Sequence, residues 1–244
     1  MSLPRTPLIA LRDVSYAVEG KPVLSGITLE TDARRIGIVG RNGSGKTTLA
    51  RIMTGLIAPE TGTVRIDGVD VAKDRKAALG CVGILFQNPD HQIIFPTVEE
   101  EIAFGLTQKG QTSAEVQKGV SEILARFGKL HWAKAAIHQL SQGQRQLVCL
   151  MSVLAMAPRV IVLDEPFAGL DIPTTRQLQR VLDGLDVTLV LITHDPAVLA
   201  RYDRVLWLEK GRVVRDGDAR LVLAAFSHKM AQIGDGDDLS DLAG

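Results

Sequence analysis

The stretch Gly40-Arg41-Asn42-Gly43-Ser44-Gly45-Lys46-Thr47-Thr48 constrains this chain more than any other. It follows a short apolar run, Arg35-Ile36-Gly37-Ile38-Val39, and opens one of helical character, Leu49-Ala50-Arg51-Ile52-Met53. A strand, a glycine-rich turn and a helix in that order let backbone N–H groups turn inward around an anion. They do so at a helix end whose dipole already favours negative charge. The G-x-x-x-x-G-K-[ST] spacing fits without a gap and gives each residue a task. Lys46 can reach the β- and γ-phosphates of a nucleotide, and the Thr47 hydroxyl can ligate Mg²⁺. An incidental lysine in a glycine-rich turn would not call for this flanking strand and helix. A chain with this loop is expected to bind a nucleoside triphosphate.

A second stretch completes the requirement. The apolar residues Val160-Ile161-Val162-Leu163 run into Asp164-Glu165-Pro166. A carboxylate at the C-terminal end of a parallel strand lies where ligands bind to such sheets. Asp164 is placed to hold Mg²⁺ or its waters, and Glu165 to take a proton from, or orient, the water attacking a γ-phosphate. An Asp-Glu pair after an apolar run says little alone, but beside a phosphate-binding loop it says much more.

Composition sets outer limits. At 244 residues the chain can form one large domain or two small ones. Lys and Arg number 28, as do Asp and Glu, so no global basic field points to nucleic acid. The opening residues lack a signal-peptide core, and no apolar run approaches the roughly 20 residues that span a bilayer. Cys81 and Cys149 are far apart in apolar surroundings and are expected to be free thiols. The expected location is cytosolic.

Taken in order, residues 8–18 alternate as a strand, Glu19-Gly20-Lys21-Pro22 turns, and Val23-Leu24 with Ile27-Thr28-Leu29 continues as strand. Thr63–Gly68 and Cys81–Phe86 read as further strands, the latter leading directly to Gln87. From Val98 to about Leu140 the pattern is helical, with Ser113 a candidate N-cap for the run to Phe127. Fully apolar strands return at Val160–Leu163 and Leu189–Thr193, as a parallel sheet requires. Val205–Leu208 and Arg212–Val214 read as a closing hairpin. The end, from Gly234 onward, is acidic, glycine-rich and expected to fray.

Together these residues make a family resemblance specific. Leu140-Ser141-Gln142-Gly143-Gln144 resembles the signature motif of ATP-binding-cassette ATPases. Phe86-Gln87 is similar to their glutamine loop, Ala168-Gly169-Leu170-Asp171 to the loop after their catalytic acid, and Thr193-His194-Asp195 to their histidine loop. The motifs occur in family order over nearly the whole chain. The resemblance implies a single domain of α/β class: a P-loop NTPase with a RecA-like parallel sheet core, an antiparallel β subdomain and a helical subdomain. Residues 1–86 and 141–230 would form the α/β core, 87–140 the helical subdomain and 231–244 an acidic tail.

It also implies roles. Lys46, Gln87, Glu165 and His194 would serve catalysis, and Thr47, Gln87 and Asp164 would hold Mg²⁺. ATP would be bound by Gly40 through Thr48. Ser141, Gly143 and Gln144 would meet the ATP held by a second ATPase subunit in a head-to-tail dimer. Adenine would meet Val18 or Tyr16, and the sequence leaves that choice open. The signature departs from the family at Gln142, where glycine is usual, so backbone freedom there is reduced.

Phe86-Gln87-Asn88-Pro89-Asp90-His91-Gln92 followed by Pro96-Thr97-Val98-Glu99-Glu100-Glu101-Ile102-Ala103-Phe104-Gly105 resembles ATPase subunits of energy-coupling-factor importers. That resemblance implies a membrane-embedded scaffold subunit, a small substrate-binding membrane subunit and a coupling surface near Pro89, Asp90 and Gln92. It implies a peripheral location on the cytoplasmic face and no nucleic-acid partner. The signature variant and short C-terminus resemble the dedicated biotin-importer ATPase, with cobalt, nickel or another vitamin as the alternative cargo. A soluble cassette ATPase acting on nucleic acid or the ribosome would carry long coiled-coil insertions or a second cassette, and neither is present.

Overall fold

Period-two runs in the first third of the chain form a hairpin, and the fully apolar runs form a sheet buried on both sides. The computed structural model describes residues 7–236. In chain order, β1 (Ile9–Val18), β2 (Lys21–Thr31) and β3 (Arg35–Val39) lead to α1 (Lys46–Met53). β4 (Thr61–Ile66), β5 (Val69–Asp70), α2 (Arg75–Cys81) and β6 (Val82–Leu85) follow. The helices α3 (Val98–Gln108), α4 (Ser113–Arg126) and α5 (Gln142–Ala155) come next. The chain closes with β7 (Val160–Asp164), α6 (Ile172–Asp183), β8 (Thr188–Thr193), β9 (Arg204–Glu209), β10 (Arg212–Asp218) and α7 (Ala219–Gly236).

Two sheets result. An antiparallel sheet has the order β2-β1-β4-β5, and the other the order β10-β9-β3-β8-β7-β6. Within the second, β9, β3, β8, β7 and β6 are parallel and β10 is an antiparallel edge. The closing hairpin therefore does more than pair with itself, because β9 lies directly beside the strand that feeds the phosphate loop. Alternation along each parallel strand divides its side chains between two cores. Ile36, Ile38, Val160, Val162, Val190 and Ile192 pack with α1 and the antiparallel sheet. Ile161, Leu163, Leu189, Leu191, Val205 and Trp207 pack with α5, α6 and α7.

A third cluster joins Val98, Ile102 and Leu106 of α3, Val120, Ile123 and Leu124 of α4, and Val148 and Met151 of α5. Because α5 also sends Cys149, Leu150 and Val153 into the sheet's core, it is the element shared by the helical layer and the α/β core. Glu101 is buried within this layer and accepts the Ile94 and Phe95 N–H groups at 2.9 and 3.0 Å, which fixes the loop entering α3.

Several boundaries differ from expectation for local physical reasons. The α4 cap is Thr112, not Ser113, because Glu115 completes a capping box with Thr112. Cys81 ends α2 instead of starting β6 and is only half-buried, whereas Cys149 is fully buried and its thiol is pushed up to about 12 by desolvation. The expected fraying segment is helical in α7 as far as Gly236, and the rest of the acidic tail lies outside the described residues.

Candidate functional site

The loop between β3 and α1 is shaped by contacts that only glycine permits. A Cβ on Gly40 would lie 2.2 Å from the Leu208 carbonyl oxygen of β9 and 2.6 Å from Ser44 Oγ. Gly45 caps α1 at φ 99°, and a Cβ there would stand 2.9 Å from the Val23 carbonyl. The loop is thus pressed between β2 and β9 with its N–H groups at the start of α1. Ser44 Oγ is buried without a hydrogen-bond partner. Lys46 is 7% exposed, and its ammonium donates to the carbonyls of Gly40 at 2.8 Å and Arg41 at 2.9 Å. Desolvation lowers its pKa, opposed by the charges of Glu165 and Asp164.

A cleft of about 330 Å³ opens above this loop. Asn42, Gly43, Gly45, Lys46, Thr47 and Thr48 line one side, and Gln87, Glu165 and His194 the other. Gly40 and Arg41 contribute through the carbonyls that hold Lys46.

The acidic pair behaves as two different groups. Asp164, at the end of β7, is 4% exposed and accepts the Thr47 hydroxyl at 3.3 Å. Burial raises its pKa, with the Thr47 hydrogen bond opposing. Glu165 has left the ladder: its backbone takes φ 48°, a left-handed conformation costly for a residue with a side chain, while its N–H still donates to Ile192 at 2.9 Å. One carboxylate oxygen accepts the Thr193 hydroxyl at 3.2 Å, and the other lies 2.9 Å from His194 Nδ1. A carboxylate only accepts, so Nδ1 carries the proton. The paired strands β7 and β8 therefore deliver acid and histidine side by side.

The residues present fit both nucleotide and metal. A buried orphan hydroxyl and a buried lysine held by loop carbonyls, both at the start of a helix, suit a phosphate chain. The Thr47 hydroxyl and the Asp164 carboxylate are adjacent hard oxygen donors of the kind Mg²⁺ takes alongside substrate phosphate.

Ser141, Gly143 and Gln144 lie elsewhere, at the start of α5. Ser141 and Gln144 form a reciprocal cap: the Ser141 N–H donates to Gln144 Oε1 at 2.8 Å, and the Gln144 N–H to Ser141 Oγ at 3.3 Å. A Cβ on Gly143 would collide with Thr174 of α6 at 2.3 Å. These residues line a second cleft with Lys129, Trp132 and Gln177, away from the phosphate loop. Gln142, in place of the family's glycine, sends its amide to the Ala168 carbonyl at 3.3 Å and so tethers the loop after Glu165.

Tyr16 is half-buried against the core under the antiparallel sheet, and Val18 is 49% exposed at the end of β1. The residue of this region that lines the phosphate cleft is Val23, which sequence reasoning missed because an aliphatic strand residue carries no chemical signal. Gln146 was also missed. It is 1% exposed on α5, a polar side chain in a helix that otherwise reads as amphipathic.

Fold and cleft define a nucleoside-triphosphate hydrolase of the P-loop class. Comparison narrows this further: residues 25–168 match the family model for ABC transporters. The chain belongs to the ABC transporter ATPase family, and it is an ATP-binding ATPase. It is 52% identical over 218 residues to the biotin transport ATP-binding protein BioM of Rhodobacter capsulatus, covering 89% of this chain and 93% of that one. It is 38% identical to the energy-coupling factor transporter ATP-binding protein EcfA of Methanothermobacter thermautotrophicus, over 86% of this chain and 70% of that one. Among solved structures, cbiO1 from Clostridium perfringens, part of the ABC transporter complex cbiONQ, superposes with TM-score 0.78 at 29% identity, covering 94% of this chain and 95% of that one. A dimeric post-hydrolysis ATP-binding cassette bound to ADP and Pi gives TM-score 0.75 at 28% identity, covering 87% and 99%.

Proposed function

We propose that this chain is the ATP-hydrolysing motor subunit of an energy-coupling-factor importer whose cargo is biotin. The observation that carries the cargo is the 52% identity with a biotin transport ATP-binding protein over nearly the full length of both chains. The observation that carries the motor is the cleft in which Lys46, Thr47, Gln87, Glu165 and His194 converge.

In this reading the loop from Gly40 to Thr48 cradles the phosphates of ATP, and Lys46 leaves the loop carbonyls for the β- and γ-oxygens. Thr47, Asp164 and Gln87 would hold Mg²⁺, which would neutralise the phosphate charge. Glu165, braced by Thr193 and His194, accepts a proton from the attacking water. His194, whose Nδ1 lies against Glu165, is left with Nε2 to meet a γ-oxygen. Ser141, Gly143 and Gln144 meet the nucleotide of a second ATPase subunit packed head to tail. That they line a different cleft from the phosphate loop supports a site completed in trans. Adenine rests against the aliphatic face near Val18 and Val23, because Tyr16 is engaged with the core.

The scaffold subunit docks where the chain leaves β6. A groove of about 380 Å³ is lined there by Asp90, Ile93, Phe95, Pro96, His138 and Arg145. Ile94 is 67% exposed beside it, and Phe95 meets half-exposed Phe104 in a tilted ring contact with centroids 5.2 Å apart. Pro89, Asp90 and Gln92 form the turn at its edge. No described helix is long and apolar enough to cross a membrane. The chain accordingly works as a peripheral subunit held on the cytoplasmic face by these partners. Affinity purification from detergent-solubilised membranes tests the assembly. A scaffold protein, a small integral membrane subunit and bound biotin are expected, and recovery of soluble partners alone would reject it.

A further inference from the structure

Two neighbouring residues of α5 grip the turn that follows β6. Gln146 is buried, and its amide donates to the Phe86 carbonyl at 3.1 Å. The Phe86 N–H is held from the other side by Gln92 Oε1 at 3.1 Å, while Gln92 Nε2 donates to the Ile84 carbonyl at 3.3 Å. The residue immediately before Gln87 is thus held at both its N–H and its carbonyl, by two different glutamines. Arg145 reaches the same turn: its Nε lies 3.0 Å from Asp90 Oδ1 in an ion pair held by charge, since the angle makes no hydrogen bond and leaves the buried Nε without one. Its Nη1 donates to the Leu140 carbonyl at 2.6 Å, one residue before Ser141. Asp90 is itself set by the Asn88 side chain, which accepts the Asp90 N–H at 3.0 Å.

We propose that Arg145 and Gln146 are positioning residues that lock the Gln87 turn to the signature residues of the same chain. Arg145 spans Asp90, three residues past Gln87, and Leu140, one before Ser141. Any displacement of the turn is passed through one guanidinium to the Ser141–Gln144 cap. The guanidinium suits this task because its charge holds the Asp90 carboxylate while its Nη1 donates to the Leu140 carbonyl. Burial makes the lock strong, since releasing Gln146 leaves the Phe86 carbonyl without its partner.

The consequence rests on the head-to-tail reading above. Gln87 attends the nucleotide on its own phosphate loop, and Ser141 attends the partner's. Locking them makes the two composite sites report to each other. Asp90, at the edge of the docking groove, is where a scaffold subunit would pull on the lock.

A double-mutant cycle on the full chain tests this. Asp90→Asn and Arg145→Gln should each lower kcat for ATP about tenfold and leave nucleotide Kd within twofold, with the double variant no slower than the worse single. Arg145→Lys, which keeps the charge facing Asp90 but not the Nη1 bond to Leu140, should fall between wild type and Arg145→Gln with the same Kd. Effects that multiply, a wild-type kcat in both singles, or a Kd that weakens in step with kcat would overturn the lock. ATP-dependent dimerisation, followed by light scattering in the Glu165→Gln background, separates the two levels. Absence of a dimer defeats the head-to-tail reading together with the lock, whereas a normal dimer with multiplying effects defeats the lock alone.

Discussion

Glu165→Gln isolates the proton-accepting step. The substitution is isosteric, and an amide oxygen can still accept the Thr193 hydroxyl that now lies 3.2 Å from the carboxylate. The side chain beside His194 keeps its shape but can no longer take a proton. Removing a positioned general base costs about 10²–10⁴ in rate, or roughly 2.7–5.5 kcal/mol on the barrier. The phosphate loop is untouched, so ATP affinity should hold within about twofold. Stability should not fall either, because Glu165 is one of the charges that disfavour an ionised Asp164. Phosphate release under saturating MgATP gives kcat, a fluorescent ATP analogue gives Kd, and a melting curve guards against unfolding. The kcat should drop by two to four decades, with a dimer accumulating in ATP. A folded variant turning over within threefold of wild type would refute the role of Glu165.

Asp164 carries a charge that the fold resists and the chemistry needs. Asp164→Asn should abolish hydrolysis yet raise the melting temperature of the nucleotide-free protein, since a neutral amide escapes the burial that disfavours the carboxylate. Because the native pKa of Asp164 is raised, the gap between variant and wild type should be absent below the ordinary value of 3.8, grow between that and the native value, and stay constant above. A variant that melts lower at neutral pH would contradict the desolvation argument. Gly40→Ala should destabilise by about 1–3 kcal/mol, since the new methyl meets a β9 carbonyl that cannot yield. Urea unfolding reads this as a lowered midpoint, and an unchanged midpoint would show that the loop has room.

What could be read from the sequence follows from how narrowly chemistry restricts each position. A phosphate loop admits few residue types at few spacings, so Gly40 to Thr48 could be assigned roles before any geometry. Strands buried on both faces must be wholly apolar, which exposed β7 and β8. Other features depend on contacts between distant segments. The pairing of β9 with β3 is invisible beside the local hairpin signal of β9 and β10. Thr112 and Ser113 are both capable caps, and only the reach of Glu115 decides between them. Buried Glu101 and Gln146 resemble solvent-facing residues until the loops they hold are seen. Asp90 and Gln92, expected to face a docking partner, are also bound within the chain, to Arg145 and to the β6 strand end.

The central claim is that this cleft drives biotin across a membrane. The most direct measurement is uptake of labelled biotin into proteoliposomes that hold the co-purified complex, with ATP on the side of this subunit. Uptake should require ATP, should cease with the Glu165→Gln chain and should not be replaced by uptake of cobalt or nickel. Biotin entry that is equal with wild-type and Glu165→Gln subunits, or ATP-driven entry of another solute in its place, would contradict the account.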